Sequence, residues 1–280
     1  MTSAPSPVTH AFELAGSNGR TIRGQAIEPP GARGTVVISH GFKGFSRWGF
    51  YPHLSNILAD AGLRAVSFDF SGSGVGADRE TFTDLEAFAE NTYRHELADL
   101  ATVAGECERR GWIERGYGLI GHSRGGGMAI LHSSRDTRVR ALVTWAAIAN
   151  VRNNFAPDVV ASWRARGYLD VPNVRTGQIL RLGTAVLDEV EQLEHTELNI
   201  EAAAARLAIP WLIVHGTADE TVSVNAATTL HARASNGRAE LMLVEGSNHG
   251  FEVTHPFVSA PPALQHVVKR TVQFCRQHLG

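Results

Sequence analysis

Residues 117–127 read Tyr-Gly-Leu-Ile-Gly-His-Ser-Arg-Gly-Gly-Gly, and the fold turns on this stretch. An apolar, strand-like run stops at Gly121-His122-Ser123-Arg124-Gly125, and a helical run rich in alanine and methionine follows at once. Glycines two before and two after a serine, between a strand and a helix, mark a sharp turn that lifts the serine oxygen clear of the sheet. Gly121 and Gly125 leave room where side chains would block the bend. The serine then stands at a helix head, where backbone N–H groups point at developing negative charge. Ser123 is the candidate nucleophile. The string alone would also fit a glycine-rich turn with an incidental serine, so the reading depends on its neighbours along the chain.

A serine nucleophile needs a base, and the base needs a third group to fix its tautomer. In the order serine, acid, histidine, both partners sit on loops after later strands. Ile209–Gly216 is an apolar run bounded by turn signals, and Asp219 lies just past its end. Ala239–Val244 is the next strand, and Glu245-Gly246-Ser247-Asn248-His249-Gly250-Phe251 puts His249 on the loop after it. The expected set is Ser123 as nucleophile, His249 as general base and acid, and Asp219 as orienting carboxylate. Glu220 is the rival acid, read as solvated. Of the 13 histidines most are bystanders. His122 packs beside the turn, His215 is structural at a strand end, His255 lies on the surface, and His10, His95, His132 and His231 sit on exposed or helical segments without a partner pattern.

Gly34–Ser39 is an earlier buried strand running into His40-Gly41-Phe42. A tetrahedral intermediate needs two preorganised N–H donors for its oxyanion. The expected donors are the backbone amides of Phe42 and of Arg124, directly after the nucleophile. His40 then holds the loop by hydrogen bonds. Lys43 either biases the site towards anions or is a solvated rim charge, and the same choice applies to the Arg124 side chain.

With these four segments in place, the chain resembles the α/β-hydrolase superfamily, in the flavour of dienelactone-hydrolase-like, prolyl-oligopeptidase-like and cinnamoyl (feruloyl) esterase-like serine hydrolases. Phe68-Asp69-Phe70-Ser71-Gly72-Ser73-Gly74 is similar to that group's strand-ending turn beside the active site. The resemblance spans about residues 12–279. One departure is the serine itself, since dienelactone hydrolases use cysteine, so that reaction is not implied. Gly72–Gly76 lacks the spacing of a phosphate-binding loop, and a nucleotide site is not expected there.

Around the motifs, strands alternate with helical runs, the pattern of a mostly parallel sheet covered by helices on both faces. The first residues read as a loose tail, and Ala11–Leu14 with Thr21–Ala26 as an antiparallel edge pair. Helices are expected over Tyr51–Ala61, Glu86–Arg110 and Pro262–Leu279. Roughly sixty residues separate the strand ending near Ala149 from the one starting at Pro210, far more than one crossover helix needs. The expected division is a core of residues 1–149 and 206–280 with an inserted cap at 150–205. Within that cap, Asn150–Arg166 and Thr184–Glu197 read as helices, and Tyr168–Val171 and Gln178–Leu180 pair across residues 172–177. The resemblance implies that the cap shapes the pocket. Trp163, Tyr168 and Trp145 are the candidates for contacting substrate, with Phe42, Phe45 and Trp48 as further aromatic residues near the entrance. Ordinary packing of the cap onto the core is the competing role for Trp163 and Tyr168.

The 280 residues suit one α/β domain with an insertion. With 26 basic and 28 acidic residues, the net charge of −2 carries no nucleic-acid or membrane-surface signature. Cys107 and Cys275 show no metal-ligand spacing and read as reduced thiols of a cytoplasmic protein. The start lacks the pattern of a signal peptide, and no run reaches the about 18 apolar residues of a membrane span. The expected activity is cofactor- and metal-independent hydrolysis of small acyl or aryl esters through an acyl-enzyme, with a homodimer left open. A peptidase of the prolyl-oligopeptidase or prolyl-aminopeptidase kind is the alternative, and a non-catalytic ligand-binding protein the third reading.

Overall fold

The computed structural model describes residues 6–152, 155–173, 176–234 and 237–280. Ten strands and nine helices are described there. Eight strands form one sheet: β1 (Val8–Ala15), β2 (Thr21–Glu28), β3 (Gly34–Ser39), β4 (Leu63–Asp69), β5 (Tyr117–His122), β6 (Val139–Trp145), β9 (Trp211–Gly216) and β10 (Ala239–Val244). Their spatial order is β1-β2-β4-β3-β5-β6-β9-β10. From β4 to β10 every neighbouring pair is parallel, and β1 and β2 add antiparallel strands at one edge. This is the α/β-hydrolase fold that the motif order led us to expect.

Both faces of the sheet are buried, which is why its central strands are apolar without alternation. Successive residues serve two separate cores. Val37, Leu142, Trp211 and Ile213 face one cluster with α3 (Tyr93–Arg109), α4 (Arg124–Ser133), α7 (Ile200–Arg206) and α8 (Asn225–Arg233). Val36, Ile38, Val143, Trp145, Leu212 and Val214 face the other, with α1 (Tyr51–Asp60) and α9 (Pro262–Leu279). The period of two along a strand divides them.

One expected helix is two. Glu86–Arg110 breaks into α2 (Leu85–Glu90) and α3, because Thr92 adopts an extended backbone and its hydroxyl accepts from the His95 amide as an N-cap. Asn91 before it is buried and donates to Glu96 at 2.8 Å.

Between β6 and β9 run α5 (Pro157–Arg166), β7 (Tyr168–Asn173), β8 (Gln178–Gly183), α6 (Ala185–Leu193) and α7. β7 and β8 form the expected antiparallel pair, in the register Tyr168↔Gly183 to Asn173↔Gln178. Parts of three expectations lie outside the described residues: positions 1–5 of the tail, 153–154 of the first cap helix and 174–175 of the turn. Among the described residues no helix is long and apolar enough to cross a membrane. Cys107 and Cys275 are free and buried, and burial pushes both thiols up to about 12.

Candidate active site

Ser123 follows β5 and heads α4 with φ 57° and ψ −123°, a left-handed backbone that a non-glycine residue holds only under constraint. The constraint is visible. Its N–H donates to the Trp145 carbonyl at 2.9 Å, and its own carbonyl accepts from Gly126, Gly127 and Ile148. The flanking glycines are needed for space rather than for φ. A Cβ on Gly121 would sit 2.4 Å from the Gly125 carbonyl oxygen, and one on Gly125 would sit 2.2 Å from that of His40. Lys43, Ala146 and Phe251 also hold positive φ, on loops after β3, β6 and β10, so backbone strain collects at the end of the sheet where Ser123 stands.

Asp219 and His249 meet. His249 Nδ1 donates to Asp219 Oδ2 at 2.8 Å, the tautomer that makes Nε2 the acceptor of the neutral ring. The Asp219 carboxylate is enclosed and receives three donors: His249, and the Thr221 and Val222 amides on Oδ1 at 2.9 Å each; His215 Nε2, which donates to the Val222 carbonyl at 2.8 Å, lies 3.2 Å from Oδ2. Desolvation pushes its pKa up, but the nearby His215 and the hydrogen bonds from His249 and Val222 outweigh this and hold it well below the usual carboxylate range. The two loops are tied to each other, Ala218 N–H donating to the Ser247 carbonyl at 3.0 Å. A Cβ on Gly216 would lie 2.2 Å from that same oxygen, so only glycine permits the approach. Glu252 accepts from the Ser247 hydroxyl and the Asn248 amide, and buried Phe251 anchors the loop against Trp145. Glu220 is exposed, as expected.

His122 links this loop to the elbow. Its Nε2 donates to the His249 carbonyl at 3.0 Å, and the two rings lie 4.7 Å apart. Burial, assisted by the neighbouring His249, pushes the His122 imidazole down to about 3. Among the described residues, no hydrogen bond joins Ser123 to His249.

On the other side, the loop after β3 is braced from three directions. His40 Nδ1 donates to the Gly41 carbonyl and its Nε2 accepts from the Phe70 amide, so His40 does hold the loop. The Gly41 amide donates to the Tyr51 hydroxyl. Asp69 accepts from the Ser46 amide and from Arg79 Nε, whose Nη2 also reaches the Ser46 hydroxyl. Among the described residues, neither the Phe42 nor the Arg124 amide has a protein acceptor.

Ser123, Phe42 and Arg124 line a cavity of about 750 Å³. Its wall includes Leu169, Val171 and Leu182 from the β7–β8 pair, Tyr93 at the head of α3, and Val222 beside Asp219. The proposed substrate contacts fall elsewhere. Trp145 is fully buried on the opposite face of the sheet, donating to the Thr271 hydroxyl of α9 at 3.0 Å. Trp163 is 1% exposed and packs edge-on to Phe155, which itself lines the cavity. Tyr168 lies between the guanidinium groups of Arg166 and Arg181. None of the three is in the cavity wall, nor are Phe45 and Trp48. The seating of each element, and not aromatic character, decides which residues line the cavity.

Other corrections are small. Half-buried His255 accepts from the Gly49 amide and packs on Phe45 and Trp48 instead of lying free on the surface. His132 is buried against Tyr117 and Asp136. His215 does more than fill space, since its Nε2 donates to the Val222 carbonyl and so braces the loop that carries Asp219, 3.2 Å away. No motif marks Tyr93 and Glu96; the sequence signal that places both at a helix head is the N-cap Thr92.

A family model described as serine aminopeptidase S33 matches residues 30–198. A monoacylglycerol lipase of Mycolicibacterium smegmatis is 26% identical over 239 residues, covering 78% of this chain and 81% of that one. A non-heme chloroperoxidase of Streptomyces lividans is 27% identical over 242 residues, covering 74% and 82%. Among solved structures, Est1E from Butyrivibrio proteoclasticus with ferulic acid bound superposes with a TM-score of 0.74 at 18% identity, over 96% of this chain and 99% of that one.

Proposed function

The chain belongs to the serine aminopeptidase S33 family, and from that premise we propose that it is a serine hydrolase of small acyl or aryl carboxylic esters. The observation that supports this most is the Asp219–His249 hydrogen bond, formed beside a serine on a constrained turn flanked by two unpaired amides. In this reading Ser123 attacks the ester carbonyl and His249 Nε2 takes its proton. Asp219 keeps the imidazole in the required tautomer and stabilises the imidazolium, but does not itself take the proton. The oxyanion is received by the Phe42 and Arg124 amides, each such donor being worth about 3 kcal/mol of barrier. His249 then protonates the departing alcohol, and later activates the water that releases the acid. The serine–histidine hydrogen bond forms with substrate in place, as catalytic contacts often tighten only in the complex. Residues 150–205 serve as a cap whose β7–β8 pair closes the cavity over Ser123.

The family's description keeps an aminopeptidase in view. An aminopeptidase must hold a free ammonium, and the carboxylates in the cavity wall are engaged elsewhere: Asp170 with Arg166 and Arg181, Glu201 with Arg233. That favours esters, in keeping with the lipase name of the relative from Mycolicibacterium smegmatis.

The test is initial rates on p-nitrophenyl esters from acetate to decanoate, with methyl cinnamates and a prolyl anilide alongside. Ester turnover that vanishes in Ser123→Ala and after a serine-directed phosphonate is the expected result. Cleavage of the anilide with silence on esters would transfer the protein to the peptidases, and full activity in Ser123→Ala would end the mechanism.

A further inference from the structure

Arg124 contributes more than its amide. The residue is 6% exposed and lies in the wall of the cavity that Ser123 also lines. The guanidinium is fixed on one edge, with Nε 3.0 Å from both carboxylate oxygens of Glu96. Glu96 is held in turn by the Asn91 side chain at 2.8 Å. Its face is fixed too, 4.0 Å from the Tyr93 ring centroid and 5.3 Å from that of Phe42, both rings of the cavity wall. Yet Nη2 is enclosed and has no acceptor. A charged donor taken from water and left unpaired is costly, so a rigidly framed guanidinium whose Nη2 lacks an acceptor, on a residue lining the same cavity as the reacting serine, points to an acceptor brought by the ligand.

The surrounding charge says which kind. Glu96 already balances Arg124, and Glu189 of α6, held against the Tyr93 and Arg94 amides, adds further negative potential. An anionic ligand would meet two carboxylates, whereas a neutral oxygen meets only the donor. We propose that Arg124 is a specificity-determining residue whose guanidinium binds a neutral oxygen acceptor (ether, hydroxyl or carbonyl) carried a few bonds from the scissile ester. This rests on the ester-hydrolase reading and deepens it: the preferred substrates are oxygen-bearing esters, not plain alkyl ones.

Two matched pairs test it and separate acyl-side from alcohol-side recognition. For the acyl side they are p-nitrophenyl 3-methoxypropanoate and pentanoate; for the alcohol side, 2-hydroxyethyl and propyl butanoate. Each kcat/KM is divided by the alkaline hydrolysis rate of the same ester. In the wild-type protein one pair should favour its oxygen member by about ten-fold or more. Arg124→Lys, which keeps a charge opposite Glu96 but loses the fork, should bring that ratio near one. The double variant Arg124→Met with Glu96→Gln should do the same without leaving one charge buried alone. A variant too slow for turnover is read through the matched alkyl and methoxyalkyl phosphonates, whose rates of Ser123 inactivation give the same ratio. Ratios near one for both pairs in the wild type, or a preference unchanged in both variants, would overturn the proposal while leaving ester hydrolysis standing. Silence of the wild-type protein on all four esters would instead remove the activity itself.

Discussion

Ser123 and His122 are neighbours in sequence with opposite burdens. Ser123 carries backbone strain, held by the hydrogen bonds on its own amide and carbonyl. His122 carries an electrostatic one: it is buried in its neutral form, with a pKa pushed down to about 3 from an ordinary 6.5. Above the ordinary value both folded and unfolded chains hold it neutral. As the pH falls from 6.5 towards 3, the unfolded chain takes up a proton that the folded chain refuses, and stability is lost by up to about 1.4 kcal/mol per pH unit. Asp219, held low, adds to this loss only at the acid end of the window, as the pH approaches and passes its ordinary value of 3.8, and it does so equally in a variant that lacks His122. Urea midpoints from about pH 7 to about pH 4 should therefore fall more steeply for the wild type than for His122→Gln. Parallel slopes would show that burial of this ring does not govern acid stability. The Ser123, Asp219 and His249 positions were legible in sequence because each follows a strand end by a turn signal. The role of His215 was not, because its Nε2 reaches the Val222 carbonyl only after the loop folds back.

At the scale of elements, the elbow is a contact between backbones. Gly125 lies where α4 presses on the end of β3, and a methyl group there would strike the His40 carbonyl at 2.2 Å. Gly125→Ala should cost about 3 kcal/mol and displace the amides that flank Ser123. Gly105, inside α3, has nothing within 4 Å of its Cβ position. Gly105→Ala should stabilise by about 0.5–1 kcal/mol, since alanine loses less backbone entropy in a helix. Thermal unfolding of the two variants should shift in opposite directions; shifts of the same sign would contradict this account. The same residue type thus has opposite meanings in two helices, and sequence alone distinguished them only through the motif around Gly125. The break between α2 and α3 was hidden because an apolar face at helical spacing runs through Leu97, Leu100 and Val103, and that spacing says nothing of where the helix starts. The N-cap at Thr92 decides it.

For the whole molecule, the cavity is made where the inserted segment meets the sheet end. Leu182 of β8 is 4% exposed and faces both the core and the cavity. Leu182→Ala should cost about 2–4 kcal/mol and lengthen the best-accepted acyl chain by a carbon or two. A p-nitrophenyl ester series on both proteins measures the shift, and an unchanged optimum would place the acyl group elsewhere in the cavity.

The sequence by itself determined the sheet, its order of chemistry and the three residues of the candidate triad. Those follow from local signals, namely apolar runs of strand length, glycines that permit turns, and polar residues directly after strand ends. The tertiary structure alone decided the pocket. Trp145, Trp163 and Tyr168 were natural candidates by size, yet two are core residues and the third lies between two arginines, while Tyr93, Leu169 and Leu182 line the cavity. A strand end can be read one residue at a time. Which side chains of several separate elements meet across a space cannot, because pairing register, helix starts and the seating of the insertion are set by long-range packing.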